Sequence, residues 1–399
     1  MSLPVTGVTR PHRRARTPRR AGSFALIALI AHVALACAFT LQAQSPPERP
    51  ELAKNADPND WAAYFDKGVE VLRSDPELAE AAFYWASRIN PTRAEPLFAR
   101  WVAFHNRDQR RFMAYLDGKP KVMADPLVLA ADSLRLLAMI RNPFVHRGLE
   151  VALYDQFPGR WGYDDFSRGL VAYAQGDFPK AVAFLGRAIK QDPNGYLWNR
   201  TTRAQAFVAM GQYDSALTEM QTLRAALDRR DAKKIVVVYE SREFLDYAMG
   251  LLESARGRAA PARESLGRAL LENPGFYGAH LMLGDDAYAA KNDSAAIREY
   301  EAALLVQPGD AVLELHYGRS LARSGRLPDA VSALTKAVEL EPYFAAPWLE
   351  LGRAFELTHD RPGARAAYTT FIERSPRADQ SNVRSAREAL ASLTPSGKP

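Results

Sequence analysis

Histidine, aspartate, cysteine and arginine are the residue types from which a chemical site could be assembled in this chain. The seven histidines are scattered, whereas zinc binding or general-base work needs them to converge. His280, His316 and His359 fall at three different places in the sequence pattern described below. There is no His-Glu-x-x-His pair, no Gly-rich phosphate loop ending in Lys-Ser/Thr, and no Gly-x-Ser-x-Gly elbow. Asp164-Asp165 and Asp285-Asp286 lack the alternating carboxylates of a calcium loop and read as solvated helix faces or turn contacts. Cys37 is the single cysteine, so no disulfide can form within the chain and no cysteine-pair metal site is possible. The expectation is therefore no catalytic centre, no metal and no cofactor. Arginine is left: its planar guanidinium grips a carboxylate through two parallel N–H donors, which is recognition chemistry rather than catalysis.

The elements that must carry these arginines are set by an internal repeat. Gly250, Gly284, Gly318 and Gly352 recur every 34 residues, and so do Ala262, Ala296, Ala330 and Ala364. Pro274, Pro308, Pro342 and Pro376 keep the same step. Small residues let two helix backbones approach closely, while proline removes a donor and clashes with the preceding turn, marking a helix end. Gly257 and Gly325 suit turn positions needing φ > 0. In one copy Leu315, Tyr317, Gly318 and Leu321 precede the turn at Ser324-Gly325-Arg326, and Ala330, Leu334 and Ala337 follow it. In the next, Trp348, Leu351-Gly352, Phe355, Ala364, Tyr368 and Pro376 hold the equivalent places. Lys291-Asn292 and His359-Asp360 stand at two of the turns.

This pattern resembles the tetratricopeptide repeat family. The resemblance implies two antiparallel helices per repeat and an all-α, right-handed superhelical solenoid of such pairs. In that family the first helix of each repeat lines a concave groove through its second, fifth, ninth and twelfth positions. Carried onto this chain, the groove positions are Phe244, Tyr247, Asp285, Tyr288, Leu315, Arg319, Leu349, Arg353 and Glu356, with Arg323 adjacent. Arginines beside tyrosines and a few acids suit a protein or peptide partner. The competing expectation is that Arg319 and Arg353 pair with Asp285 and Glu356 across successive helices as a solvated face. The Lys-and-Asn pattern of the chaperone-tail clamp is absent, so chaperone C-terminal peptides are not implied.

Residues 1–23 hold six arginines and no acid, and an apolar run follows from Phe24 to Leu41. A basic region, an apolar region and a small-residue exit describe an export signal. Cleavage after Ala43 is the first expectation. An uncleaved membrane anchor and lipidation at Cys37 are the alternatives, and Arg19-Arg20 lies too far from Phe24 for a good twin-arginine match. Either way the protein is expected to be exported, periplasmic or secreted, touching a membrane only through this segment. The chain has 52 basic and 46 acidic residues. The whole excess lies before Phe24, so the remainder is balanced. The high isoelectric point is then no argument for nucleic acid, which needs a basic footprint on the folded domain.

The organisation expected is a leader (1–43), a Pro-rich linker (44–58), degenerate helical repeats (59–160) and repeats with an insertion at 227–241 (161–242). Four tandem repeats (243–378), a capping helix (379–393) and a disordered tail (394–399) complete it. The run Ile235-Val236-Val237-Val238-Tyr239 could form a strand, but an insertion or extended helix is the preferred reading because a lone strand has no partner. Three functions are compatible with this. The first is a non-enzymatic scaffold or adaptor of the bacterial cell envelope that binds a protein or peptide. The second is a self-associating structural component, and the third an enzyme with its site in the irregular Arg93 to Phe157 region or the insertion.

Overall fold

The glycines at a 34-residue step sit where one helix crosses its partner. A Cβ placed on Gly284 or Gly352 would lie 2.5 or 2.6 Å from the ring of Tyr300 or Tyr368, and one on Gly250 or Gly318 would lie 2.8 or 2.7 Å from Leu266 or Leu334. Each large residue stands sixteen positions after its glycine and fills the space the missing side chain leaves. The same pairing joins Gly169 to Leu185, and Gly68 to Phe83 fifteen positions on. The first helix pair therefore obeys the packing rule of the later ones.

These observations come from a computed structural model, which describes residues 46–104 apart from 73, 94 and 101, residue 107, and residues 165–191, 197–231 and 241–393. The expected leader with Cys37, most of the irregular stretch after Arg93, residues 232–240 and the tail lie outside the described residues. The strand alternative at Ile235–Tyr239 falls there too, as does an enzymatic site placed in the irregular stretch. The described residues from Glu48 onward belong to one compact unit.

Among the described residues every regular element is an α-helix. The first pair is α1 (Trp61–Val71) and α2 (Pro76–Ile89). After it come α3 (Asp165–Ala174) and α4 (Phe178–Gln191), then α5 (Leu197–Ala209) and α6 (Tyr213–Asp231). The regular array is α7 (Arg242–Ala255) with α8 (Ala259–Glu272), α9 (Tyr277–Ala289) with α10 (Asp293–Val306), and α11 (Ala311–Arg323) with α12 (Leu327–Leu340). It continues with α13 (Ala345–Leu357) and α14 (Arg361–Arg374), and α15 (Gln380–Leu393) follows. From α7 onward each helix packs on the next, and the first helices of successive repeats also touch, α9 with α11 and α11 with α13. The result is a solenoid of antiparallel helix pairs, with first helices side by side on one face. None of the described helices is long and apolar enough to cross a membrane.

The turns explain the substitutions at Lys291 and His359. Gly257, Lys291, Gly325 and His359 occupy the same repeat position, and all four have positive φ, from 60° to 83°. Each closes its helix in the same way. Gly325 N donates to Ala322 O at 3.1 Å and Arg326 N to Leu321 O at 2.9 Å, the paired bonds of a Schellman cap. Where the left-handed residue is not glycine, the next residue carries a side-chain oxygen that starts the following helix. Asn292 accepts from Ala295 N at 3.2 Å and Asp360 from Gly363 N at 3.0 Å. A capped start of this kind stabilises by about 1 kcal/mol.

The core runs between consecutive pairs. Leu315, Leu334, Val338, Phe344, Leu351, Ala354 and Ala367 form one cluster. Leu349, Ala364, Tyr368 and Phe371 form the next and take in Ala386 of α15. Second-helix alanines, such as Ala296, Ala330 and Ala364, are wholly buried. Helix α6 continues through Leu227 to Asp231, so the first part of the stretch set aside as an insertion is the end of a repeat helix. Leu227 itself packs in the core with Leu223 and Leu245.

Candidate functional site

The face formed by the first helices gathers four of the ten expected groove residues into one pocket. Tyr288 comes from α9, Arg319 and Arg323 from α11, and Arg353 from α13. Together with Ala322, Leu334, Glu350, Ala354 and Leu357 they line a cavity of about 240 Å³. Arg319 and Arg353 are one repeat apart, so the packing of α11 on α13 sets them side by side.

Their partner is not the one expected from the sequence. Arg319 Nε lies 3.2 Å from Glu350 Oε1, and Arg353 Nη1 lies 3.1 Å from the same oxygen. The expected pairing with Asp285 and Glu356 is therefore corrected. Asp285 instead accepts from the Tyr300 hydroxyl at 2.7 Å and faces His316 Nδ1 at 2.7 Å. Glu356 takes the hydroxyl of Tyr368. Both acids are nearer to a tyrosine of their own repeat than to an arginine, because Tyr300 and Tyr368 must lean across Gly284 and Gly352. Burial first, and then the neighbouring carboxylates, push both phenol pKa values upward, so these hydroxyls remain donors.

Arg323 is held differently. Its Nε donates to Asp293 Oδ1 at 2.6 Å and its Nη2 to the Tyr288 carbonyl at 2.6 Å. Its guanidinium carbon lies 3.5 Å from the centroid of the Tyr288 ring, within cation–π range. The bond to Asp293 is the main reason its pKa is raised. Arg323 is thus a fixed wall of the pocket, whereas Arg319 and Arg353 share one carboxylate between two guanidiniums. Their side chains remain 42% and 47% exposed, and that of Glu350 16%. The lining holds three cations, Arg319, Arg323 and Arg353, and one carboxylate, Glu350. Leu357, 56% exposed, adds an apolar surface at its rim.

The remaining expected residues are structural. Leu315 and Leu349 are buried in the inter-repeat core. Tyr247 is buried against Phe276 at 5.1 Å, and burial, with Asp285 adding to it, pushes its hydroxyl up to about 12. Phe244 packs on the same cluster. The fifth position of these first helices thus points into the stack, while the ninth and twelfth open to the groove. Five lining residues lie outside the expected set, Ala322, Leu334, Glu350, Ala354 and Leu357, and of these Glu350 brings charge and Leu357 exposed apolar surface. Glu350 had one available signal, its place three residues before Arg353 on one helix face. Among the described residues no group of three or more His, Cys, Asp or Glu side chains is placed to hold a metal ion.

Comparison with known proteins bears on the repeats themselves. Models of the tetratricopeptide repeat match residues 172–235, 247–311 and 318–379. No curated protein matches the chain. Among solved structures, the chain is similar to the C-terminal part of a TPR repeat-containing protein from Cytophaga hutchinsonii. Identity is 16%, over 58% of this chain and 96% of that one, with a TM-score of 0.44. It is also similar to YrrB, described as a TPR protein with an unusual peptide-binding site, at 16% identity over 51% and 97% of the two chains and a TM-score of 0.41. MamA from Desulfovibrio magneticus is similar at 20% identity, over 46% and 97%, with a TM-score of 0.39. Together with the 34-residue periodicity and the stacked helix pairs, the family matches establish that this chain carries tetratricopeptide repeats across residues 172–235, 247–311 and 318–379.

Proposed function

We propose that the protein is a non-enzymatic scaffold or adaptor that binds a protein or peptide partner on the first-helix face of its repeats, at the pocket of Arg319, Arg323 and Arg353. The observation that carries this reading is the sharing of Glu350 by Arg319 and Arg353 at 3.2 and 3.1 Å. One carboxylate cannot use the donors of two guanidiniums, so the pair retains N–H groups for a second carboxylate. Tyr288 and Leu357 offer aromatic and apolar contact beside it. The ligand that fits is an acidic side chain or a chain-terminal carboxylate next to an apolar residue. The basic, apolar N-terminal segment of the sequence supports placement in the bacterial cell envelope, and that placement is part of the proposal.

The test is a peptide array, carrying internal acidic and free-carboxylate sequences, probed with the purified protein. Binders enriched in an acid beside an apolar residue are expected. Arg353→Gln should weaken the best of them tenfold or more, since a charge-assisted hydrogen bond contributes about 1.5–3 kcal/mol. Binders whose affinity is unchanged by Arg353→Gln would remove the pocket from the account.

Self-association is the second reading. Leu271 and Leu305, one repeat apart at the ends of α8 and α10, are 84% and 86% exposed. Concentration-dependent mass by light scattering, lost in a Leu271→Ser, Leu305→Ser variant, would favour it.

A further inference from the structure

The first helix pair of the chain touches the loops of the last repeats, more than 250 residues away in sequence. Arg88 Nη1 donates to Glu341 Oε1 at 2.7 Å, and the Glu341 side chain is nearly inaccessible. Trp85 and Tyr343 meet edge to face with centroids 4.9 Å apart. Asn59 Nδ2 donates to the carbonyls of Glu373 and Ser375 at 2.8 and 3.2 Å. From the other side, the Arg377 amide donates to Asp57 Oδ2 at 2.6 Å. The contacts run from residues 57–59 and α2 on one side to the loop before α13 and the end of α14 with the loop after it on the other.

Beside these contacts an arginine, itself exposed, sits in an open aromatic cage. The Arg49 guanidinium carbon lies 4.3 Å from the Trp85 ring, 5.2 Å from Tyr343 and 6.0 Å from Tyr64. Tyr64 and Trp85 belong to the first helix pair, and Tyr343 to a loop between the last repeats, so the cage exists only while the two ends are together. Pro50, the next residue, is buried. Three rings around one weakly hydrated cation form a geometry that recognises a guanidinium.

We propose that residues 49–59 with α1 and α2 are an intramolecular latch whose docking surface is Glu341, Tyr343, Glu373, Ser375 and Arg377, and whose key is Arg49. The latch joins the first helix pair to the last repeats through charged, polar and aromatic contacts, Tyr343 packing on the buried cluster of Tyr64, Trp85 and Ala86. Removing the Arg49 cation and the Tyr343 ring therefore opens it, while the repeats themselves, held by buried apolar surface, stay folded. This proposal stands apart from the ligand pocket, since none of its residues lines that cavity.

Pulsed electron resonance on the full chain tests it. Cys37 is replaced by Ser, and spin labels are placed at Lys54→Cys and Ala378→Cys, each beside a residue of the junction. A single narrow short-distance distribution is expected. It should be lost, giving a broad long distribution, in an Arg49→Ala, Tyr343→Ala variant. Arg49 lies outside every helix, and helix content by circular dichroism should be unchanged. The latch is overturned if the short distance persists in the variant. It is equally overturned if the short distance vanishes when labelled chains are diluted with unlabelled ones, because the contact would then lie between copies.

Discussion

Replacing Gly318 by alanine should destabilise the protein in the native background and stabilise it in one other. A Cβ at Gly318 would fall 2.7 Å from Leu334 Cγ and 2.9 Å from its Cδ2, with the Leu334 backbone nitrogen at an ordinary 3.4 Å. Leu334 is wholly buried, so the branched carbon has nowhere to retreat. Overpacking of this kind costs about 1–3 kcal/mol. Alanine in place of a mid-helix glycine returns about 1 kcal/mol. The net in the native background is a loss of up to about 2 kcal/mol. Leu334→Ala alone should cost about 2–5 kcal/mol. With Leu334 truncated both close atoms are gone, only the helix term survives, and the new methyl partly refills the void. Gly318→Ala should then stabilise by about 1 kcal/mol, a coupling of about 1–3 kcal/mol between contacting residues. Urea unfolding of the four proteins, followed by helix signal, reads this directly. The same destabilisation by Gly318→Ala in both backgrounds would refute close helix approach as the reason for the repeating glycine.

Two further outcomes follow from local geometry. His280 places Nδ1 at 2.8 Å from Glu299 Oε2 and Nε2 at 2.9 Å from the Pro274 carbonyl. Both partners are acceptors, so the imidazolium, with two N–H donors, is the form that fits. The bond to Glu299 is the chief cause of its raised pKa. Stability from this group is fully present below its ordinary value near 6.5 and is lost as pH rises through the folded value. Unfolding midpoints should fall across that range, and His280→Gln should flatten the fall; an unchanged profile would exclude His280 as its source. At the turns, Lys291→Gly should be neutral to stabilising by up to about 1 kcal/mol, because φ of 60° strains a side chain. Gly325→Ala at the equivalent place should destabilise by about 1–2 kcal/mol, and thermal midpoints moving in the reverse order would contradict the turn assignment.

How far the sequence carried this account depends on the range of the interaction. Glycine facing a large residue sixteen positions on is a local constraint, so it was written into the 34-residue period. The left-handed turns were legible where glycine stood, and less so at Lys291 and His359, where a capping Asn292 or Asp360 shares the task. Arg319, Arg353 and Tyr288, expected on one face, line one pocket in the structure. Leu315 and Leu349 were misplaced because a leucine at the fifth position reaches the core before it reaches solvent. Glu350 escaped notice because its role depends on Arg319 of the preceding repeat, a neighbour that only the stacking of α11 on α13 supplies. The meeting of Arg88 with Glu341 leaves no mark in either local pattern.

The central claim is that a partner carboxylate enters between Arg319 and Arg353, and a site-placed crosslinker tests it most directly. A photoreactive benzophenone side chain replaces Leu357 at the rim of the pocket, and a second protein carries it at Leu271, on the other helix of a different repeat. Both are illuminated in the native cell. The account predicts one discrete adduct from position 357, absent from position 271 and lost when Arg319 and Arg353 are both changed to Glu. An adduct at position 357 that survives both arginine reversals would contradict it.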